Sequence, residues 1–203
     1  MPPWEYPLQI VCECLAGSDG EPAIPFLIVG SVASELQGCS VGTRDLDILF
    51  ESESDLKRYA ARIAHHLQQP EPAISCQAFN GGFKWYKAQH EISGFLVDAV
   101  HIASGGGIPD STSGDGAWEG GPYAWRFARS VPFQEFEVQV APLEIQLESQ
   151  IRRGRPDKAE MIAERLRSAG CDAELLEQCL SRDNFAAWKK TLRLPGSEEY
   201  SMV

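Results

Sequence analysis

A short apolar run, Phe26-Leu27-Ile28-Val29, ends in Gly30-Ser31, and thirteen residues later a second apolar run opens as Asp45-Leu46-Asp47-Ile48. Both runs read as buried strands, the first turning through Gly-Ser into a helix. Strand side chains alternate between faces, so Asp45 and Asp47 project to one side, about 6.5–7 Å apart along the backbone. An edge strand whose charges discourage aggregation is the structural alternative. Against it stand Leu46, Ile48, Leu49 and Phe50. They mark a buried strand, where two unpaired carboxylates are costly unless a cation partners them. Such a pair can hold one or two Mg²⁺ (or Mn²⁺) ions against a triphosphate. The Gly30-Ser31 turn can offer backbone N–H groups and the positive end of a helix dipole to the same phosphates.

Around this pair the chain alternates between strand and helix patterns. Tyr6–Leu15 reads as a helix, and Leu56, Tyr59, Ile63 and Leu67 recur at helical spacing until Gln69-Pro70. Residues 73–79 and 83–89 read as strands joined by an Asn80-Gly81-Gly82 turn, Phe95–Ile102 as another, and Glu135–Val140 as the last. Between them, Ala103–Gly121 is glycine-rich and polar, and is expected to form a mobile surface loop outside the core. Val32–Gln37 is expected to be a short helix. From Pro142 onward the pattern is helical, with Leu143, Leu147 and Ile151 four residues apart. Further helices are expected near 157–168, 172–180 and 183–192, with Asp172 and Asp183 as N-caps of the last two. The expectation is an α+β core over residues 1–141 followed by a helical C-terminal section, 142–203.

A net charge of −11 is spread unevenly. Residues 1–149 hold 8 Lys/Arg against 20 Asp/Glu, and residues 150–203 hold 10 against 9. The acidic part argues against broad, sequence-independent nucleic-acid binding, although one RNA end can still be held by the C-terminal part. Six cysteines without a Cys-x-x-Cys pair are expected to be reduced and mostly buried. No apolar stretch approaches the ~20 residues of a membrane span, and the N-terminus lacks a signal-like pattern, so no membrane association and a cytoplasmic location are expected.

The segment Phe26–Phe50 resembles the nucleotidyltransferase superfamily, whose fold is that of the DNA polymerase beta palm. The family pattern is hydrophobic-Gly-Gly/Ser, a spacer, then Asp-hydrophobic-Asp/Glu-hydrophobic. Here Gly30-Ser31 and Asp45-Leu46-Asp47-Ile48 supply it, and Thr43-Arg44 resembles the form that precedes the first Asp in the AbiEii-type and minimal nucleotidyltransferase branches. The resemblance implies a mixed β-sheet flanked by helices. It implies Mg²⁺- or Mn²⁺-dependent transfer of an NMP group from an NTP such as ATP to an RNA end, a protein or a small molecule. Asp45, Asp47 and a third carboxylate would be catalytic metal ligands, and Asp98, the only charge in Phe95–Val100, fits the third place. Gly30, Ser31 and Arg44 would bind the nucleotide.

Ala141–Glu160 resembles a second family segment, in which Glu144, Asp157 and Glu160 match and the expected helix lysine is replaced by Gln150. Arg152, Arg155 and Lys158, beside Asp157, are then the candidate phosphate contacts. The AbiEii branch implies a toxin with a cognate antitoxin protein. The rival class is a non-catalytic nucleotide- or partner-binding module on the same fold, and a carboxylate-metal phosphohydrolase is a third reading.

Overall fold

Leu46, Ile48 and Phe50 alternate with Asp45, Asp47 and Leu49 along one strand, and that alternation splits the molecule into two unlike halves. In the computed structural model, which describes residues 2–17, 21–79, 83–103 and 116–192, this strand is β2 (Asp45–Phe50), at the middle of a seven-stranded sheet. The strand order is β3 (Ile74–Ala78), β4 (Lys84–Ile92), β5 (Phe95–Ala103), β2, β1 (Leu27–Val29), β7 (Phe136–Val140), β6 (Arg129–Phe133). β2 runs antiparallel to β1 and parallel to β5, so the sheet is mixed. The fold is the expected α+β arrangement of a mixed sheet flanked by helices.

One face of the sheet packs on α1 (Glu5–Ala16) and α3 (Glu53–Leu67). Leu46, Ile48 and Phe50 meet Leu8, Val11 and Leu15 of α1 and Leu56, Tyr59 and Ile63 of α3 in one apolar cluster. α3 starts where Ser52 accepts a hydrogen bond from the Asp55 N–H, and Glu53 and Asp55 suit the positive end of its dipole. It stops at Gln68, in the left-handed region at φ 53°.

The other face packs on α5 (Leu143–Arg152), α6 (Pro156–Ala169), α7 (Ala173–Cys179) and α8 (Arg182–Trp188). Leu27, Val29, Leu49 and Val100 join Leu143, Leu147, Ile162 and Leu176 there. Residues 143–150 of α5 are all buried, including Glu144, Gln146, Glu148, Ser149 and Gln150. The four-residue spacing of Leu143, Leu147 and Ile151 suggests one apolar stripe, yet the helix is enclosed on all sides. Its charges are paired inside the protein, although Glu144 Oε2 has no partner among the described residues. Glu144 pairs with Arg129 at 2.9 Å, and Glu148 takes Arg152 at 2.6 Å, the Ser181 N–H at 3.0 Å and Asn184 Nδ2 at 2.9 Å.

Several expectations are corrected. β6 was not anticipated, because Pro132 lies inside it. A sheet-edge strand tolerates proline, and β6 occupies the edge. The short helix α4 (Pro122–Arg126) was also missed. Within Ala103–Gly121, residues 104–115 lie outside the described residues, as does the Asn80-Gly81-Gly82 turn. The described end of that stretch is core rather than loop surface. Ala117 and Glu119 are buried, and the Ala117 N–H donates to Cys179 O at 2.7 Å. Ser181 rather than Asp183 caps α8, accepting from the Asn184 N–H. α2 (Gly30–Leu36) begins at Gly30 itself, two residues earlier than expected. All six cysteines are free, four of them buried. Among the described residues no helix is long and apolar enough to cross a membrane.

Candidate active site

Parallel pairing of β2 with β5 sets Asp47 directly beside Asp98, with Asp45 beside Leu96. The three aspartates share the α5–α6 face of the sheet by strand alternation. One carboxylate oxygen of each lies within 4.8 Å of those of the other two. Three carboxylates at this spacing suit a hard divalent cation such as Mg²⁺ or Mn²⁺, which takes oxygen ligands. The electrostatics fit as well. Burial, then Asp45, Glu119 and Asp98, push the Asp47 carboxyl up to about 7, against a partial offset from Arg153. A carboxylate held this unfavourably is one that a cation stabilises.

Gly30, directly after β1 and first in α2, meets Asp47. It has φ +67°, and a Cβ built on it would stand 2.5 Å from Asp47 Oδ2, so both conformation and close approach require glycine. With the Gln146 amide oriented to satisfy its neighbours, its oxygen accepts from the Gly30 N–H at 3.2 Å and its nitrogen donates to Glu119 at 2.9 Å. The Gly30 N–H is therefore engaged inside the protein. Asp98 has partners of its own on β4: Lys87 Nζ at 2.6 Å and Gln89 Nε2 at 2.7 Å. His101 falls on the opposite face, with Nδ1 3.0 Å from Phe50 O.

A groove of about 690 Å³ opens at the Asp45 end of β2. Ser31 and Gly42–Asp45 form one wall; Arg155, Asp157 and Lys158, at the start of α6, form the other. Lys158 Nζ spans them, 3.0 Å from both Ser31 Oγ and Gly42 O. Burial, then Arg155, pulls the Lys158 ammonium below its ordinary value, while Asp157 and Asp45 oppose the shift. Thr43 Oγ1 is buried with no partner among the described residues. The groove thus gathers Ser31, Arg44, Arg155, Asp157 and Lys158 beside Asp45. Arg152 is not among them, since it is bound to Glu148. Gln150, where the resemblance expects a lysine, is buried with an unpartnered Oε1.

A second, smaller cavity adjoins Asp47 on the side away from the groove. Val29, Leu49, Val100, Ile102, Trp85 and Trp118 line it, with Asp47, Glu119 and Arg153 as its charged members. Glu119 is 4% exposed and is ion-paired with Arg153. Sequence reasoning missed Glu119 and Gln146, because a glycine-rich stretch and a helix interior give no local sign of shared burial. The parity of Trp85, Lys87 and Gln89 on one strand was visible. That Lys87 and Gln89 reach Asp98 while Trp85 stands opposite Ile102 depends on the register of β4 on β5.

No family model matches the chain, and no curated protein matches it in sequence. The chain is similar in fold to the crystal structure of a proposed nucleotidyltransferase from Thermotoga maritima. The TM-score is 0.52 at 18% identity, over 83% of this chain and 96% of that one. The fold is nucleotidyltransferase-like, and the carboxylates sit on the strand pair at its centre.

Proposed function

We propose that this chain is a divalent-metal-dependent nucleotidyltransferase that moves an NMP group from an NTP, ATP among the candidates, to an acceptor and releases pyrophosphate. The observation that carries the reading is the carboxylate triad, whose Asp45 lines a groove together with Ser31, Arg44, Arg155 and Lys158. Asp45, Asp47 and Asp98 would hold Mg²⁺ or Mn²⁺, which supplies charge neutralisation at the α-phosphate and the leaving group. Lys158 and Arg155 bind the β- and γ-phosphates, Arg in bidentate fashion. Arg44, exposed on the groove wall, adds a third cation. Ser31 Oγ, already bonded to Lys158, presents a hydroxyl to the same oxygens. Asp157 orients the cations around it. Catalysis in such a site is positioning and charge stabilisation more than covalent chemistry.

The two parts of the chain divide this labour in our reading: residues 1–141 carry the carboxylates and residues 142–203 the principal phosphate-binding cations. A non-catalytic binding module would need the groove and not the triad, so the intact triad favours the enzyme. A phosphohydrolase would account for the carboxylates but not for the Gly30-Ser31 turn that opens α2 beside them. A toxin role with an antitoxin partner is a finer form of the same proposal. It predicts that expression of the chain arrests growth and that expression of the Asp45→Asn/Asp47→Asn variant does not.

The deciding experiment incubates the protein with each α-labelled NTP, Mg²⁺ and, in turn, total RNA, total protein and a metabolite extract. Label should move into one acceptor class with release of pyrophosphate. Wild-type-like transfer by the Asp45→Asn/Asp47→Asn variant would sink the proposal.

A further inference from the structure

Each of the paired aspartates borders a different cavity. Asp45 lines the cationic groove, which runs toward Ser31 and α6. Asp47 lines the smaller cavity, which runs the other way over β5 and β4. Phosphoryl-type transfer places the attacking and leaving oxygens roughly in line on opposite sides of the reacting phosphorus. If the groove holds the leaving pyrophosphate, the cavity beside Asp47 is where the attacking hydroxyl stands.

The cavity's lining then speaks to the acceptor. Its walls are the side chains of Val29, Leu49, Val100 and Ile102, closed on one side by Trp85 and Trp118. The two indoles stack at 5.7 Å between ring centroids, inclined by 25°. Phe79 and Phe83 extend the aromatic wall, Phe79 lying 5.3 Å from Trp85 and Phe83 6.0 Å from Trp118. Trp85 Nε1 is buried with no partner among the described residues.

Size sets a further limit. The cavity measures about 80 Å³, whereas an apolar cavity of about 150 Å³ takes up a whole benzene molecule. At about half that volume it admits the edge of one ring from the open side and excludes a nucleoside. Charge points the same way. Of the three charged side chains in the lining, Glu119 and Arg153 neutralise each other and Asp47 belongs to the anionic triad, so nothing here attracts a polyanion.

We propose that the cavity beside Asp47 is the acceptor subsite and that the acceptor is a small molecule carrying a hydroxyl next to a single apolar ring. The inference rests on the nucleotidyltransferase reading given above. In the transfer, the acceptor oxygen forms a bond to the α-phosphorus. The bond from that phosphorus to the bridging oxygen breaks, pyrophosphate leaves, and the hydroxyl proton is released to water.

The test uses the full chain labelled with 5-fluorotryptophan, with resonances assigned by single Trp→Phe variants. A non-hydrolysable NTP analogue and Mg²⁺ are added first, and their binding is read by calorimetry. Benzyl alcohol, propane-1,2-diol and cytidine are then titrated separately. Benzyl alcohol should shift the Trp85 and Trp118 resonances saturably and leave Trp4 and Trp188 unmoved. Propane-1,2-diol and cytidine should shift none of them. Val100→Phe, which fills the cavity, should weaken benzyl alcohol binding at least tenfold while nucleotide binding stays within twofold. Should that variant fold poorly, Ile102→Ala, which widens the cavity, should let 1-naphthalenemethanol bind at least threefold more tightly than it binds the wild type. Nucleotide binding without any benzyl alcohol shift would overturn the subsite and leave the nucleotidyltransferase reading standing. A saturable shift with cytidine instead would assign the cavity to a nucleic-acid end. No nucleotide binding by the wild type would remove the underlying reading, and the subsite with it.

Discussion

The two faces of the central sheet are built from the same strands by opposite rules. Against α1 and α3, β2 presents Leu46, Ile48 and Phe50, all buried in an apolar cluster. Against α5 and α6 it presents Asp45 and Asp47, and the helix opposite buries Glu144, Gln146, Glu148 and Gln150. The first face has the composition of any α+β core and contributes stability. On the second, carboxylates crowd one another and α5 encloses charges that need Arg129, Arg152, Ser181 and Asn184 to satisfy them. Burial of this kind is neutral or unfavourable for stability and strongly unfavourable when a partner is removed. The difference shows where the fold tolerates strain and therefore where a ligand is expected.

The widest separation between the faces comes from neighbouring residues of one strand. Asp47→Asn should reduce transfer by about 10³-fold or more, the scale expected for losing a charge-stabilising group. The metal-free protein should melt no lower than wild type, because crowding of like charges is relieved. Ile48→Ala should do the reverse: a loss of about 2–5 kcal/mol by denaturant titration, with kcat/KM unchanged at temperatures where the variant is folded. If Ile48→Ala abolished transfer in the folded state, the two faces would not be functionally distinct.

Asp98 sharpens the comparison, since it belongs to the triad and also holds Lys87 and Gln89. Asp98→Ala should cut transfer by about 10²-fold with KM for the NTP little changed. An effect confined to the melting temperature would assign Asp98 to the β4–β5 pairing alone. A smaller effect, roughly tenfold in KM for the NTP, is expected of Lys158→Ala, on the scale of a single charge-assisted hydrogen bond. Arg152→Ala should leave that KM unaltered, because Arg152 serves Glu148. Equal KM effects from the two variants would place the phosphate tail across α5 instead of along the groove.

Asp47 also gives the reactive face a pH signature. Its folded-state carboxyl lies at about 7 against an ordinary 3.8. Between those values the folded chain keeps a proton that the unfolded chain has lost, so stability present below pH ~4 is lost as pH rises toward 7. Metal-free protein should therefore lose a few degrees of Tm across that window, and Asp47→Asn should flatten the profile. Added Mg²⁺ should raise Tm more at pH 8 than at pH 5, because proton and metal compete for one carboxylate. A Tm gain independent of pH would mean that the ion binds elsewhere.

Much of this was legible in the linear chain because it depends on neighbours in sequence. The alternation of Asp45, Leu46, Asp47 and Ile48 needs only the two-residue period of a strand. The helix at 53–67 needs only the spacing of Leu56, Tyr59, Ile63 and Leu67. The β6 strand was not legible, since Pro132 argues against a strand unless the segment is known to lie at an edge. Burial of Ala117 and Glu119 was hidden by the glycines around them. Ser181, displacing Asp183 as the α8 cap, also holds the buried Glu148 through its N–H, a link across 33 residues.

What remained for three dimensions is everything that couples distant positions. Local periodicity states which way Asp47 and Asp98 point, but only the parallel register of β2 on β5 puts them side by side. Lys158 reaches Ser31 across 127 residues. Gln146 joins Gly30 to Glu119, and Trp85 finds Trp118 beside Asp47, with nothing in the surrounding sequence to announce it. Backbone sterics and the strand and helix periods act over a few residues, so they can be read along the chain. Registers, ion pairs and cavities depend on which surfaces close on one another. That is settled by burying apolar area over the whole molecule, a property of no single segment.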